Sequence, residues 1–216
     1  MKFSLGPRVG VQQTSQKNYY PDDLYGQLQG STPRYGLQAG IVGSIQCGHF
    51  AIQPAVLYSQ KGFRYTQEGL YTFFYDKSTY VVTASTVSNL DYIEVPLNLV
   101  YSINREGGFQ IIVGLYEATG VGGKTSRRAT LDGKPAYGGP IYSDDYGSFR
   151  QGLQRYDIGL TGGVGYKYKA LQVQAIYGLG AFNVDQQTRR NIAAANYNSP
   201  NRSLQLTAAY LFSFNP

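Results

Sequence analysis

The chain has 216 residues, a formal net charge of +6, 27 Gly, 21 Tyr, 10 Phe, one Cys and no Trp. A single cysteine excludes an internal disulfide framework and any multi-cysteine metal site; no apolar run approaches the ~20 residues of a membrane helix, and no long 3.6-residue periodicity points to helices. The basic excess is no nucleic-acid footprint, because Lys and Arg are scattered or gathered in turn-rich segments without a basic helix or an aromatic RNP-like run; anionic lipid head groups are the better partner.

The organisation is one of alternation. A first strand is expected from about Lys2 to Gln12, with Phe3, Leu5, Pro7, Val9 and Val11 on one face and Lys2, Ser4, Gly6, Arg8, Gly10 and Gln12 on the other. The next segment, TSQKNYYPDDLYGQLQGSTP, is rich in turn formers and reads as a long loop. Strand two runs over Tyr35 to Gln46, Cys47-Gly48-His49 make a short turn, and strand three runs from Phe50 to about Tyr65. A second long polar loop is expected to reach about Ser88. Strand four, Leu90 to Ile103, places Ile93, Val95, Leu97, Leu99, Tyr101 and Ile103 on one face and Tyr92, Glu94, Asn98 and Ser102 opposite. After the turn Arg105-Glu106-Gly107-Gly108, strand five starts at Phe109 with Ile111, Val113 and Leu115 in phase, and the longest loop covers about Gly122 to Gly152.

Tyr156 to Ala181 is a hairpin turning at Lys169 and Ala170. One face carries small aliphatics in the middle and tyrosines nearer the ends; the other carries Gly, Gln, Asp and Lys. A soluble barrel needs its large apolar groups inside. Here the Gly-rich polar face fits a narrow lumen and the aliphatic face with tyrosines at its margins fits lipid. A fourth loop, DQQTRRNIAAANYNSP, leads to strand eight, SLQLTAAYLFSF. The fold expected is therefore all-β, an eight-stranded antiparallel up-and-down transmembrane β-barrel with a polar Gly-rich lumen, four long outer loops and three short periplasmic turns, in a single domain over 1–216. The opening MKFSLGPRVG alternates from the start and has no signal-peptide pattern, so an export signal is expected to have been removed. Pro7, Pro54 and Pro96 each delete a ladder donor, and bulges are expected there. Glu117, in phase with the lipid face, is expected near the outer interface or at a register shift.

QPAVLYSQKGF on strand three and LDYIEVPLNLVY on strand four resemble the PorT-like outer-membrane β-barrel family of the Bacteroidetes. The resemblance extends over nearly the whole chain and is most specific at Gln53 to Gly62 and Leu90 to Leu97. It implies proline at positions 54 and 96, and one branch of the family is linked to protein secretion and gliding machinery. Glu117 and the Asn215-Pro216 end depart from the pattern.

Inward-pointing Arg8, Lys61, Glu94 and Asp157 are the candidate lumen charges, with Lys61 and Asp157 near the outer side, Glu94 just below and Arg8 nearer the middle. Pairing makes such charges tolerable, so a charge-paired plug is expected, an ion path or gate being the alternative. The lone histidine, His49, falls in a periplasmic turn, away from the outer rim where a hydrolase would need its base, and no enzymatic activity, cofactor or metal site is expected; His49 beside Cys47 offers too few ligands. In the loops, Arg127, Arg128, Arg189 and Arg190 are candidates for lipopolysaccharide phosphates, and the pairs Asp22-Asp23 and Asp144-Asp145 for calcium, with solvated charge as the plain alternative. Loop tyrosines such as Tyr19, Tyr20, Tyr75 and Tyr146 favour a protein or glycan partner. The expected function is a non-enzymatic outer-membrane protein with a structural or binding role through its extracellular loops, tied to a secretion or envelope complex. The alternatives are a soluble eight-stranded barrel for a small apolar ligand and a narrow channel.

Overall fold

A computed structural model describes residues 1–16, 28–72, 79–105, 107–132, 134–135, 142–144, 155–183 and 200–214. The long strands are β1 (Lys2–Gln16), β2 (Leu28–Cys47), β3 (Phe50–Thr72), β4 (Thr79–Asn104) and β5 (Gly107–Leu131). Two short strands, β6 (Lys134–Pro135) and β7 (Tyr142–Asp144), pair with β5. The chain continues through β8 (Tyr156–Tyr168), β9 (Leu171–Asn183), β10 (Pro200–Tyr210) and β11 (Phe212–Phe214). Every long strand pairs antiparallel with its neighbours, and β1 pairs with β2 on one side and with β10 and β11 on the other. The sheet therefore closes on itself as an eight-stranded ring.

Closure fixes the tilt. Partners followed once around the ring from Phe50 lead through Tyr101, Ile111, Val164, Ala175, Leu206 and Val11 to Leu37, whose neighbour Gln38 opposes Ser59. The strands are thus staggered by about ten residues over one circuit, the shear of a strongly tilted small barrel. The expected parity holds throughout the membrane-level strands. Phe3, Leu5, Val9 and Val11 on β1 and Ile93, Val95, Leu97, Leu99 and Tyr101 on β4 are exposed, while Ser4, Arg8 and Gln12, and Tyr92, Glu94, Asn98 and Ser102, are buried. From Ile103 to Ile93 the apolar face covers ~25 Å of membrane normal, at ~3.4 Å per residue and ~40° of tilt. Ring contacts between Phe50 and Tyr101, Phe109 and Tyr166, and Tyr210 and Phe212 mark its short-turn edge. That edge is the periplasmic one, since outer-membrane barrels keep their short turns there.

Four expectations need correction. The second polar loop is mostly strand: β3 continues to Thr72 and β4 begins at Thr79, paired residue by residue up to Thr72 and Thr79 themselves. The longest loop likewise begins later than Gly122, because β5 runs to Leu131 opposite Val82, and β1 and β2 also extend into the first presumed loop. TYVVTASTVSN is rich in Thr and Val, which favour a pleated surface even where neither face is apolar. The prolines produce no bulge. Ladders lapse beside Pro7, Pro54 and Pro96 but resume in the same register; the shifts occur elsewhere, one of them between Asp91 and Tyr92 opposite Gly120 and Gly122. Glu117 is the fifth outward residue of β5 counted from Phe109, opposite Val95 and Ile158 without a shift, which puts it at the outer end of the apolar band.

Candidate functional site

The lumen is filled in two layers. Because β3 and β9 stand on opposite sides of the ring, any bond between their side chains must cross the interior. Near the periplasmic end, Gln53 of β3 does so: Gln174 Nε2 donates to Gln53 Oε1 at 3.2 Å, and Gln53 Nε2 faces Gln172 Oε1 at 3.4 Å and Ser44 Oγ at 3.4 Å. The chain goes on from Gln172 Nε2 to Gln110 Oε1, 2.7 Å, and from Gln110 Nε2 to Ser102 Oγ, 2.9 Å. An amide can donate and accept at once, which lets one residue type bridge strand after strand. Val100, Ile112, Ile176 and Ala51 pack among these amides.

The outer layer is ionic. Lys61 Nζ is 2.8 Å from Glu94 Oε2 and 3.2 Å from Asp157 Oδ2, and all three side chains are buried. Lys61 reaches Asp157 across the lumen from β3 to β8. Tyr116 Oη donates to the Asp157 carboxylate at 3.2 Å and Asn201 Nδ2 donates to it at 3.0 Å. The ammonium also stands over the Tyr116 ring at 4.5 Å and the Tyr92 ring at 5.3 Å, a cation–π arrangement that strengthens where water is excluded. Just beneath, Gln12 Nε2 donates to Ser59 Oγ at 2.7 Å and Thr161 Oγ1 to Asn98 Oδ1 at 3.0 Å, each bond skipping a strand. Arg8 stands apart between the layers, 2% exposed, with no carboxylate in ion-pair range among the described residues and with its Nε unpartnered.

Above the apolar band, β3, β4 and β5 continue as a sheet whose rows run Arg64–Val87–Ser126 and Thr66–Ser85–Arg128 on the outward face. At the base of this sheet Arg34 Nη2 donates to Asn89 Oδ1 at 2.8 Å and Tyr58 Oη donates to Asp91 Oδ1 at 2.7 Å.

A closed ring with a polar filling and an apolar exterior is the arrangement that sequence families of exported barrels encode, and the outer membrane protein β-barrel domain family matches residues 1–185. The chain belongs to this family. Its compartment is the bacterial outer membrane. Among solved structures this barrel is similar to Ail, the attachment invasion locus protein of Yersinia pestis, in complex with the heparin analogue sucrose octasulfate, at 12% identity over 98% of this chain and 100% of that one, TM-score 0.45. It is also similar to Neisserial surface protein A, at 13% identity over 95% and 97% of the two chains, TM-score 0.40. The search of curated proteins finds no match. Fold and compartment rest on the strand ring and the family, not on these likenesses.

Of the residues singled out by sequence, the barrel brings Lys61, Glu94 and Asp157 together and leaves Arg8 outside the cluster. Arg128 is exposed on β5 opposite Ser85, well above the apolar band. The Arg127 side chain, Arg189 and Arg190, Asp22-Asp23, Asp145 and most of the loop tyrosines lie outside the described residues. His49 is held in its periplasmic turn, with Nδ1 donating to the Ser102 carbonyl at 2.9 Å and Nε2 accepting from Arg105 Nε at 3.3 Å. Sequence reasoning put Tyr92 and Tyr116 inside without joining them to the charges; the same strand parity and similar height were the available signal. Asn201 falls between the fourth loop and strand eight in the sequence and carries no signal there.

Proposed function

We propose that this chain is a sealed, non-enzymatic outer-membrane barrel, a single domain over its 216 residues, that acts by binding at its extracellular face. The observation that carries this reading is the pair of lumen-crossing layers below a sheet that rises from the rim: the interior is occupied by bonded side chains, so the surface left for a partner is the outer one. The ion cluster is a plug in this reading, holding β3, β4 and β8 to one another. The narrow-channel alternative needs a continuous wet path past Arg8 and Glu94, and the bonds from Gln53 to Gln172 and from Lys61 to Asp157 stand across it. The apolar-ligand barrel needs large aliphatic groups inside, the reverse of the burial pattern. Both ring nitrogens of His49 are engaged at the periplasmic end, which supports the absence of a hydrolytic base.

A PorT-like placement within the family, with association to a secretion or envelope complex of the Bacteroidetes type, is supported by the way its two most specific segments meet. Gln53 faces Asn98, Leu57 faces Glu94, Ser59 faces Tyr92 and Lys61 faces Leu90, so QPAVLYSQKG and LDYIEVP form one paired unit that supplies both Gln53 and the Lys61–Glu94 pair.

Planar-bilayer recording tests the seal. The folded wild-type chain is expected to be silent, and Lys61→Ala or Gln53→Ala alone is expected to leave it so, since each spares the other layer. The double variant is expected to conduct. Steady wild-type conductance through correctly folded, heat-modifiable protein would overturn the sealed reading in favour of the channel.

A further inference from the structure

The outward face changes character abruptly at the outer edge of the apolar band. The last aliphatic or aromatic positions there include Tyr35, Tyr58, Ile93, Tyr156 and Leu204, all exposed. Above them stand cations on separate strands: Arg34 beside Tyr35 on β2, Arg155 beside Tyr156 at the start of β8 and Arg202 one outward position from Leu204 on β10, with Arg64, three outward positions above Tyr58 on β3, and Lys124 on β5 higher. Outward parity places Arg64 opposite Val87, and Lys124 opposite Asn89. Arg64, Lys124 and Arg155 are exposed, and Arg34 and Arg202 are half-buried. The carboxylates at this level on the described outward face are Asp91, engaged by Tyr58, and Glu117. A collar of cations on several sides of a barrel, pitched where a lipid head group begins, is matched in charge and height to lipid phosphate.

One sector of the collar is shaped as well as charged. A polar groove of about 570 Å³ opens on it, lined by Arg34, Tyr35, Gln60, Asn89, Asp91 and Lys124 among others. Gly62, the β3 residue paired with Asn89, has no side chain to stand in the way as Arg34 reaches across that strand to Asn89 on β4. Asn89 accepts from one terminal nitrogen of the guanidinium, whose Nε is buried and without a partner, so the exposed nitrogens are the ones turned to the groove. Arg64 stands one outward position higher, and the tyrosine ring of Tyr35 forms the lower lip against the lipid. We propose that Arg34, Arg64 and Lys124 form a binding site for the phosphate of a phosphorylated glycolipid, of the lipid A kind, in the outer leaflet. The planar guanidinium holds the phosphate oxygens by paired N–H donors, the ammonium adds a mobile charge from the far side, and the acyl chains run down the Tyr35–Leu37 and Tyr58–Val56 face. The site deepens the lipid partnership of an outer-membrane barrel and rests on that reading. It differs from the arginine pairs that the sequence brings forward, since Arg128 is higher on the sheet.

The test uses the full chain folded into phosphatidylcholine vesicles containing a few mole percent of lipid A, with folding read from heat-modifiable gel migration. After transfer to detergent, retained lipid A is counted by native mass spectrometry. Wild type is expected to retain lipid A at least tenfold better than its dephosphorylated form. The triple variant Arg34→Gln, Arg64→Gln, Lys124→Gln is expected to lose that preference, and the periplasmic variant Lys167→Gln, Lys169→Gln to keep it. Equal retention of phosphorylated and dephosphorylated lipid by wild type, an unchanged preference in the triple variant, or full displacement of lipid A by millimolar inorganic phosphate would overturn the proposal. If the triple variant does not fold, the wild-type comparison of the two lipids decides alone. A wild-type barrel that shows no lipid preference but still shifts on boiling and stays electrically silent overturns the lipid site and leaves the sealed-barrel reading standing.

Discussion

The two lumen layers do the same geometrical task with different chemistry. Near the periplasmic end, neutral amides pass hydrogen bonds from Gln174 to Gln53, Gln172, Gln110 and Ser102; near the outer end, one ammonium is shared by Glu94 and Asp157 within a cage of tyrosines and Asn201. The amide layer is redundant, since Gln53, Gln172 and Gln110 each both donate and accept and a neighbour can take up a lost bond. The ionic layer is centred on one atom, Lys61 Nζ. A buried charge keeps its cost of desolvation when its partner is removed, whereas an amide left alone keeps only that of a dipole. The layers should therefore fail differently.

Lys61→Met is the hardest test of that contrast, because it strands two carboxylates at once. A loss of about 3–5 kcal/mol in unfolding free energy is expected, measured by urea titration of the vesicle-folded protein with the heat-modifiable band as the signal. Adding Glu94→Leu and Asp157→Leu to the same chain should recover most of the loss, since an apolar filling of similar volume replaces the whole cluster. A Lys61→Met protein within ~1 kcal/mol of wild type would mean that water reaches the cluster, and the difference between the layers would disappear. Gln53→Leu is the matching change below. It removes three contacts, all at the long end of the hydrogen-bonding range, 3.2 to 3.4 Å, and a smaller loss of about 1–3 kcal/mol is expected in the same titration. A larger loss for Gln53→Leu than for Lys61→Met would reverse the ranking of the two layers.

The sequence makes the ionic layer legible and hides the amide layer. Alternation sorts Lys61, Glu94 and Asp157 to the interior, and strand phase puts them at neighbouring heights, so their meeting follows from parity. The cross-lumen amide chain does not follow, because many inward Gln residues satisfy parity equally and only the shear of the closed ring decides that Gln53 faces Gln172 and Gln174. The rising sheet of β3 to β5 is hidden for a different reason. Alternation of hydrophobicity detects a strand only where one face is apolar, and Thr79 to Asn89 has polar residues on both faces. The collar of Arg34, Arg64 and Lys124 escapes with it, since those residues fall in or at the edge of what reads as loop. Arg8 is legible as an inward residue nearer the middle than the other three, and its separation from the ion cluster agrees with that height.

The smallest expected difference lies in the glycines that make room for each filling. In the ionic layer a Cβ on Gly159 would meet the Tyr116 ring carbon Cε1 at 2.6 Å and press on the Leu179 carbonyl as well. The ring cannot retreat without pulling its hydroxyl from Asp157 and its face from Lys61. In the amide layer a Cβ on Gly165 would meet Gln174 Cγ at 3.2 Å, Gln110 Oε1 at 3.4 Å and the Val173 carbonyl at 2.9 Å. Two of those three contacts belong to flexible side chains that can turn about their own bonds. Overpacking a rigid site costs about 1–3 kcal/mol, and Gly159→Ala should fall in that range, with Gly165→Ala below it at ~1 kcal/mol or less. The paired titration reads the difference directly. Equal losses would show that the carbonyls of the ring, and not the side chains within it, set how much each layer can give.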